Sequence, residues 1–176
     1  QVVARSALAG TTPVLTKSIS SGAPFSAQDF VSSASALTAH HRMTSLVPTQ
    51  LHKLLETAES DPQMSSEILD ALRSFDALLL GGAPASAALL ERAQHLGVKV
   101  LTTYGSAETA GGCVYSGVPL PGVHVHIEPE TAEDAASGSG RIWLGGPILA
   151  SGYLDDAQRT AAHFFTDPDG MRWYKT

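Results

Sequence analysis

The chain has 176 residues, 43% of them apolar and 16% charged, with a formal net charge of -6. That length can bury one sizeable core, and the balance of residues is that of a globular domain rather than a disordered or repetitive one. The acidic balance without any Lys/Arg block argues against nucleic-acid and anionic-membrane surfaces, no apolar run reaches membrane-spanning length, and the single cysteine, Cys113, excludes an intrachain disulfide and fits a reducing cytosol.

The opening Gln1-Val2-Val3-Ala4-Arg5 lacks an initiator Met and a signal-peptide layout, and reads as interior sequence. Val2, Val3 and Leu8 give a helical start that Gly10 stops, Gly10-Thr11-Thr12-Pro13 is an ordinary turn, and Pro13-Val14-Leu15 reads as a short strand. Ser26 followed by Asp29 forms a capping-box pattern, with Asp in place of Glu, that opens a helix through about Ala39. Met43 to Val47 is a buried strand candidate, Pro48 sits where a first-turn proline is tolerated, and Leu51, Leu54 and Leu55 repeat on one helical face as core. Asp61-Pro62 punctuates the chain before a short helix marked by Ile68, Leu69 and Leu72, and Phe75 to Leu80 is the next strand. Gly81-Gly82-Ala83-Pro84 turns it into a helix from Ser86 to Leu96, stopped by Gly97, and Val98 to Leu101 makes the strand that follows. Strand, turn, helix, strand implies a right-handed parallel unit, with the Gly81-Gly82 and Tyr104-Gly105 turns opening at one sheet edge.

After Gly112 the prolines and glycines multiply, and short segments such as Val123 to Ile127 and Arg141 to Leu144 predict a more antiparallel, barrel-like portion. Between them, Glu128 through Gly140 reads as an acidic, solvated loop. A helix from about Asp155 to Phe165 precedes the turn Thr166-Asp167-Pro168-Asp169-Gly170 and a last strand from Met171 to Lys175; Trp143, Trp173 and the Phe164-Phe165 pair are assigned to the core of this half. The expected fold class is α/β: a parallel sheet with flanking helices over 1–112, then a β-rich portion over 113–176 of the same large domain.

Chemistry concentrates in Leu101 to Gly112, where an apolar strand runs into a Gly-rich turn with an aromatic ring, hydroxyls and one carboxylate. An ordinary surface loop is the competing reading of that stretch alone. Tyr104-Gly105-Ser106-Ala107-Glu108-Thr109 resembles the Tyr-Gly-x-Thr-Glu signature of adenylate-forming enzymes, the superfamily of acyl-CoA synthetases, aryl-CoA ligases, luciferases and peptide-synthetase adenylation domains. Leu80-Gly81-Gly82-Ala83-Pro84 upstream, and Gly140-Arg141-Ile142-Trp143-Leu144-Gly145-Gly146-Pro147 with Ser151-Gly152-Tyr153 downstream, resemble further motifs in the right order. With Thr44 to Gln50 and Gly111 to Tyr115 added, the wording is most similar to the o-succinylbenzoate:CoA ligase branch of menaquinone synthesis, in its actinobacterial form.

The resemblance implies that the adenine of ATP lies between the Gly81-Gly82-Ala83 backbone and Tyr104, with Gly105 and Ala107 also at the nucleotide. It implies that Ser106, Thr109, Gly111 and Gly112 line the acyl site, and that Glu108 is the catalytic carboxylate that holds Mg2+. A lone carboxylate beside a triphosphate needs a hard cation between them, and Mg2+ takes one or two carboxylates plus phosphate oxygens. Tight strand-to-helix turning at Gly81-Gly82 and flexible loop glycine at Gly111-Gly112 are the alternatives. Two positions depart from the family pattern. Ala107 stands where Thr or Ser donates to phosphate, a loss of about 1–3 kcal/mol that Ser106 or Thr109 would have to offset; Arg141 stands where Glu is usual and is given a structural role. Cys113 has no His placed to activate it, and the seven histidines, including His40-His41 and His124 with His126, do not assemble a ligand set.

The expectation is an interior fragment of an ATP-dependent acid:CoA ligase in the cytoplasm, with ATP and Mg2+ as cofactors and CoA as co-substrate. Its partners are a small carboxylic acid, ATP and CoA, with a homodimer left open and no nucleic acid or membrane insertion. The family's phosphate loop and mobile C-terminal domain fall outside this stretch, so the piece alone is expected to be inactive and to bind Mg-ATP at about millimolar affinity or weaker. Another aryl- or fatty-acyl:CoA ligase, or a catalytically silent nucleotide-binding domain, are the alternatives.

Overall fold

A computed structural model describes residues 2–176 and divides the chain into two compact units, 1–102 and 103–176. In the first unit, α1 (Val2–Leu8) ends at Gly10, whose φ of +66° breaks the helix, and α2 (Lys17–Ser20) follows an irregular stretch. That stretch corrects the expected strand at Pro13-Val14-Leu15: Val14 is 38% and Leu15 52% exposed, so no burial supports extended pairing there. In α3 (Ala27–Ser35) the Ser26 hydroxyl accepts from the Asp29 N–H at 3.2 Å, but the Asp29 carboxylate receives the Lys17 N–H at 2.8 Å instead of closing the box. The helix also stops short of Ala39, at Ser35.

β1 (Met43–Leu46) leads into α4 (Pro48–Ser60), and the Asp61 carboxylate caps α5 (Pro62–Arg73) by accepting the Gln63 and Met64 N–H groups. β2 (Ala77–Leu80) and α6 (Ala87–His95), capped by Ser86, precede β3 (Val100–Ser106). β1, β2 and the start of β3 are parallel, with Leu46 opposite Leu80 and Leu80 opposite Thr102. The core sits between this sheet and the helices: Leu51, Leu54, Leu55, Ile68, Leu72 and Leu78 are fully buried. At about 1.5–3 kcal/mol for each such side chain, their burial is the main stabilising term of the unit.

The second unit takes the end of β3 into antiparallel pairing with β4 (Gly111–Tyr115), which pairs in turn with β5 (Val118–Pro119). Ser116 and Gly117 join these last two with φ of +47° and +80°, the two left-handed residues of a tight hairpin. A four-stranded antiparallel sheet follows, built from β6 (His124–Glu128), β7 (Arg141–Gly145), β8 (Phe164–Thr166) and β9 (Arg172–Lys175) in the order β6-β7-β9-β8. The antiparallel character matches the sequence, whereas the sheet is open rather than barrel-like, with β6 and β8 at its edges.

Three local expectations change here. The acidic loop contains a short exposed helix, α7 (Ala132–Ser137), capped by Thr131. α8 (Ala157–His163) ends before the Phe pair, which enters β8. Leu144, Tyr174 and Phe164 lie opposite one another and face a core with Cys113 and Val123, so their strand neighbours Trp143, Trp173 and Phe165 point to the other face. There all three are half-buried rather than in the core, with the Lys175 ammonium 4.8 Å from the Trp143 ring and 4.7 Å from the Phe165 ring.

Candidate functional site

In the first unit, β2 ends in Gly81-Gly82-Ala83-Pro84 because Gly82 adopts φ +80°, which turns the chain out of the sheet toward the Ser86 cap. The Gly81 N–H is held by the Leu46 carbonyl at 3.2 Å, and Gly82, Ala83 and Pro84 are exposed. A Cβ on Gly82 would lie 3.3 Å from Val47 Cγ1, so this position needs glycine for its backbone angle and is tight besides. The result is an exposed backbone surface at the carboxyl end of a parallel strand, the position at which open α/β sheets take ligands.

In the second unit, Tyr104 and Gly105 lie within β3 rather than in a turn, which corrects the expected strand end at Leu101. The strand can extend because its pairing shifts between Tyr104 and Gly105, the former opposite Val114 and the latter opposite Gly112. This bulge leaves Cys113 as the extra residue on β4. Tyr104 is 40% exposed, and Gly105 touches the Gly111 backbone so closely that any Cβ would collide with it. The turn proper is a single 3-10 turn, Ala107–Thr109, followed by Ala110 at φ +52°.

Thr109 builds that turn. Its side chain is only 5% exposed, and its Oγ1 lies 2.9 Å from the Ser106 N–H, 2.7 Å from the Gly111 carbonyl and 3.2 Å from the Ser106 carbonyl. The hydroxyl has one proton to donate, and both acceptors within reach are backbone carbonyls of the turn. Thr109 therefore does not supply the donor that Ala107 lacks, and Ala107 itself is exposed. Gly112 is shaped by Tyr115, whose hydroxyl donates to the Gly112 carbonyl at 3.2 Å.

Glu108 is held from two directions by one segment. Its carbonyl accepts the Ala150 N–H at 2.8 Å, and its Oε1 accepts the Tyr153 hydroxyl at 2.5 Å. That phenol, outweighing partial burial, holds the carboxyl well below its ordinary range, at about 2, with smaller lowering contributions from the Glu108 N–H and the Ser106 and Tyr174 hydroxyls. Glu108 is thus a carboxylate at neutral pH. The same contact raises the Tyr153 pKa, and burial beside Tyr153 and Glu108 raises that of Tyr174, so both phenols remain neutral donors.

A single ionised, half-buried carboxylate on a turn suits a hard cation whose other ligands come from phosphate and water. Among the described residues no group of three or more His, Cys, Asp and Glu side chains gathers into a protein-only metal cage. His126 instead meets Glu128 at 2.8 Å, and His163 the Lys175 carbonyl at 3.0 Å. Cys113 is a core residue with its thiol pKa raised by burial. Arg141 pairs with Glu130 at 2.7 Å and donates to the Thr176 carbonyl, the structural part expected of it.

The residues that sequence reasoning missed are Tyr153 and Tyr174. Ser151-Gly152-Tyr153 stood out as a motif without a role, and its tyrosine lies 45 residues from Glu108 along the chain, a separation no periodicity bridges.

The family described as "AMP-binding enzyme" matches residues 10–154. A protein of Mycobacterium tuberculosis described as a probable 2-succinylbenzoate--CoA ligase is 39% identical over 152 residues, which cover 86% of this chain and 34% of that protein. Among solved structures, a malonyl-CoA ligase with methylmalonyl-CoA and AMP bound superposes with a TM-score of 0.62 at 29% identity, covering 86% of this chain and 36% of that one. E. coli MenE with a bound analogue of OSB-AMS gives a TM-score of 0.53 at 28% identity, covering 78% and 27%. The chain spans about a third of the length of the curated relative.

Proposed function

The chain belongs to the AMP-binding enzyme family, the adenylate-forming enzymes, and from that premise we propose that its complete gene product is an ATP-dependent acid:CoA ligase acting on o-succinylbenzoate. The observation that carries the chemistry is Glu108, ionised at neutral pH and held half-buried on the turn that follows Tyr104 and Ala107 in the chain. The choice of acid is supported by the 39% identity to a protein described as a 2-succinylbenzoate ligase.

In this reading the Tyr104 ring stacks on adenine, and the Gly81-Gly82-Ala83 backbone is also assigned to nucleotide contact. Gly105 and Ala107 are assigned to the nucleotide, and Ser106, Thr109, Gly111 and Gly112 to the acyl site, with the space at Gly105 taken by the Gly111 backbone, that at Gly112 by Tyr115, and the Thr109 hydroxyl shaping the turn. The substrate carboxylate attacks the α-phosphorus of ATP, pyrophosphate leaves, and the CoA thiol then displaces AMP from the acyl group. Glu108 would hold Mg2+, which supplies charge neutralisation at the phosphates. The chain's own contribution is positioning and a fixed negative charge at Glu108.

The test is acid-dependent pyrophosphate release by the complete gene product, with o-succinylbenzoate, benzoate and a medium-chain fatty acid offered in parallel with Mg-ATP. Release with o-succinylbenzoate alone is expected; release with another acid keeps the chemistry and discards the substrate. Glu108→Ala should abolish release, and near-normal turnover in that variant would overturn its assignment. Ala107 favours one second reading, a silent nucleotide-binding domain, because the Thr109 hydroxyl is committed to its own turn. That reading expects nucleotide binding without pyrophosphate release from any acid, and release in the Ala107→Thr variant.

A further inference from the structure

Tyr153 has no part in the function proposed above, yet its hydroxyl donates to Glu108 Oε1 at 2.5 Å. Its own placement is fixed from several sides. Its N–H donates to Thr160 Oγ1 at 2.9 Å, and that hydroxyl donates on to the Asp156 carbonyl at 2.8 Å. The Arg159 guanidinium lies 4.1 Å from the centre of the Tyr153 ring, and the Phe164 ring meets it near-perpendicularly at 5.8 Å. Gly152, just before it, has φ +154° and no room for a Cβ, which would come 2.7 Å from Thr160 Oγ1. Three residues earlier, the Ala150 N–H holds the Glu108 carbonyl at 2.8 Å. One short segment therefore fixes both the backbone and the side chain of Glu108.

A glutamate on a turn has three side-chain torsions to lose before it can meet a cation that demands near-octahedral geometry. The Tyr153 hydrogen bond to Oε1, with smaller help from the Ser106 and Tyr174 hydroxyls, removes that freedom in advance and leaves carboxylate lone pairs for the cation, the part that outer-shell donors take at metal sites generally. We propose that Tyr153 is a positioning residue for Glu108, its hydroxyl fixing the carboxylate so that it meets the nucleotide-bound divalent cation. This rests on the reading of Glu108 given above. Tyr153→Phe removes only the hydroxyl and keeps the ring contacts to Arg159 and Phe164.

The experiment measures Mn2+ affinity for the complete gene product in the presence of ATP, by electron paramagnetic resonance, alongside the divalent-cation concentration that half-activates pyrophosphate release. Tyr153→Phe should weaken Mn2+ binding and raise the half-activating concentration about 10- to 100-fold, the range for lost outer-shell donors, with the KM for the acid unchanged. Glu108→Gln is the reference: if it leaves Mn2+ affinity unchanged, the reading of Glu108 itself falls. If Glu108→Gln weakens Mn2+ binding while Tyr153→Phe lowers only the unfolding midpoint, Tyr153 is a structural tie and the proposal alone is overturned. In the double variant, Tyr153→Phe should add nothing to Glu108→Gln, and additive losses would also overturn it. Should Tyr153→Phe fail to fold, Thr160→Val loosens the Tyr153 backbone with the phenol intact; weakened Mn2+ binding supports the proposal and unchanged binding refutes it.

Discussion

The turn after β2 and the turn after β3 both carry candidate nucleotide contacts, but they are built by different means. Gly81 to Pro84 is shaped by backbone: a φ of +80° at Gly82, one N–H to the Leu46 carbonyl, and the first side-chain bond only at Ser86. Ser106 to Gly112 is shaped by side chains, with Thr109 bonding the turn from inside and Tyr153 holding Glu108 from outside. A surface that only has to approach a flat ring can be made from backbone freedom. One that must aim a charge needs its torsions fixed, and hydroxyls far along the chain do that.

The two constructions should break differently. Gly105→Ala is expected to be the most damaging change, because the new Cβ would collide with the Gly111 backbone, which is not the flexible end of a side chain. A cost at or above the upper end of ordinary overpacking, about 3 kcal/mol, should appear in urea denaturation. Thr109→Val comes next: it strands the Ser106 N–H and the Gly111 carbonyl around a residue 5% exposed, for about 1–3 kcal/mol by the same measurement. Gly82→Ala should cost about 1–2 kcal/mol, the left-handed penalty for a residue with a Cβ, plus whatever Val47 cannot yield at 3.3 Å. If Gly82→Ala proved the worst of the three, the contrast between the turns would fail.

The same difference decides what the sequence reveals. The first unit was legible where local chemistry acts alone. Proline at position 48, the Asp61-Pro62 break, the helix opening at Ser86, and the Leu51-Leu54-Leu55 face each specify helix or burial within a few residues, and the structure has them all. The antiparallel turn to short strands after Gly112 was equally plain. The misses have a common cause. β3 continues past Leu101 because β4 pairs with it, Phe164-Phe165 leave α8 because β9 recruits them, and Trp143 and Trp173 face away from the core because Leu144 and Tyr174 take it. Strand partners settle these, and partners are distant in sequence. Glu108 could be singled out as the lone carboxylate of a Gly-rich motif; the phenol that aims it could not.

A third turn extends the comparison and gives its smallest expected effect. Asp167 accepts the Asp169 N–H at 3.0 Å, the Met171 N–H at 2.8 Å and the Trp173 indole N–H at 2.8 Å, closing the turn before β9 with a charge. The indole bond leads these in lowering its pKa from the ordinary 3.8. A carboxyl whose folded pKa is depressed stabilises the fold above its unfolded value, and the contribution is lost as pH falls through the folded one. Stability of the native chain should therefore decline below pH 3.8 partly through Asp167, and Asp167→Asn should be less stable at neutral pH and lose that part of the acid dependence. Ser86→Ala is the control, a cap made by a hydroxyl that does not titrate, with an expected loss of about 1 kcal/mol, constant with pH. Denaturation midpoints for both variants from neutral pH down to about pH 2, well below the ordinary carboxylate value, would separate them: a parallel offset for Ser86→Ala and one for Asp167→Asn that converges at the acid end. If both offsets ran parallel, the Asp167 turn would be held by its geometry, like the one at Gly82, and not by its charge.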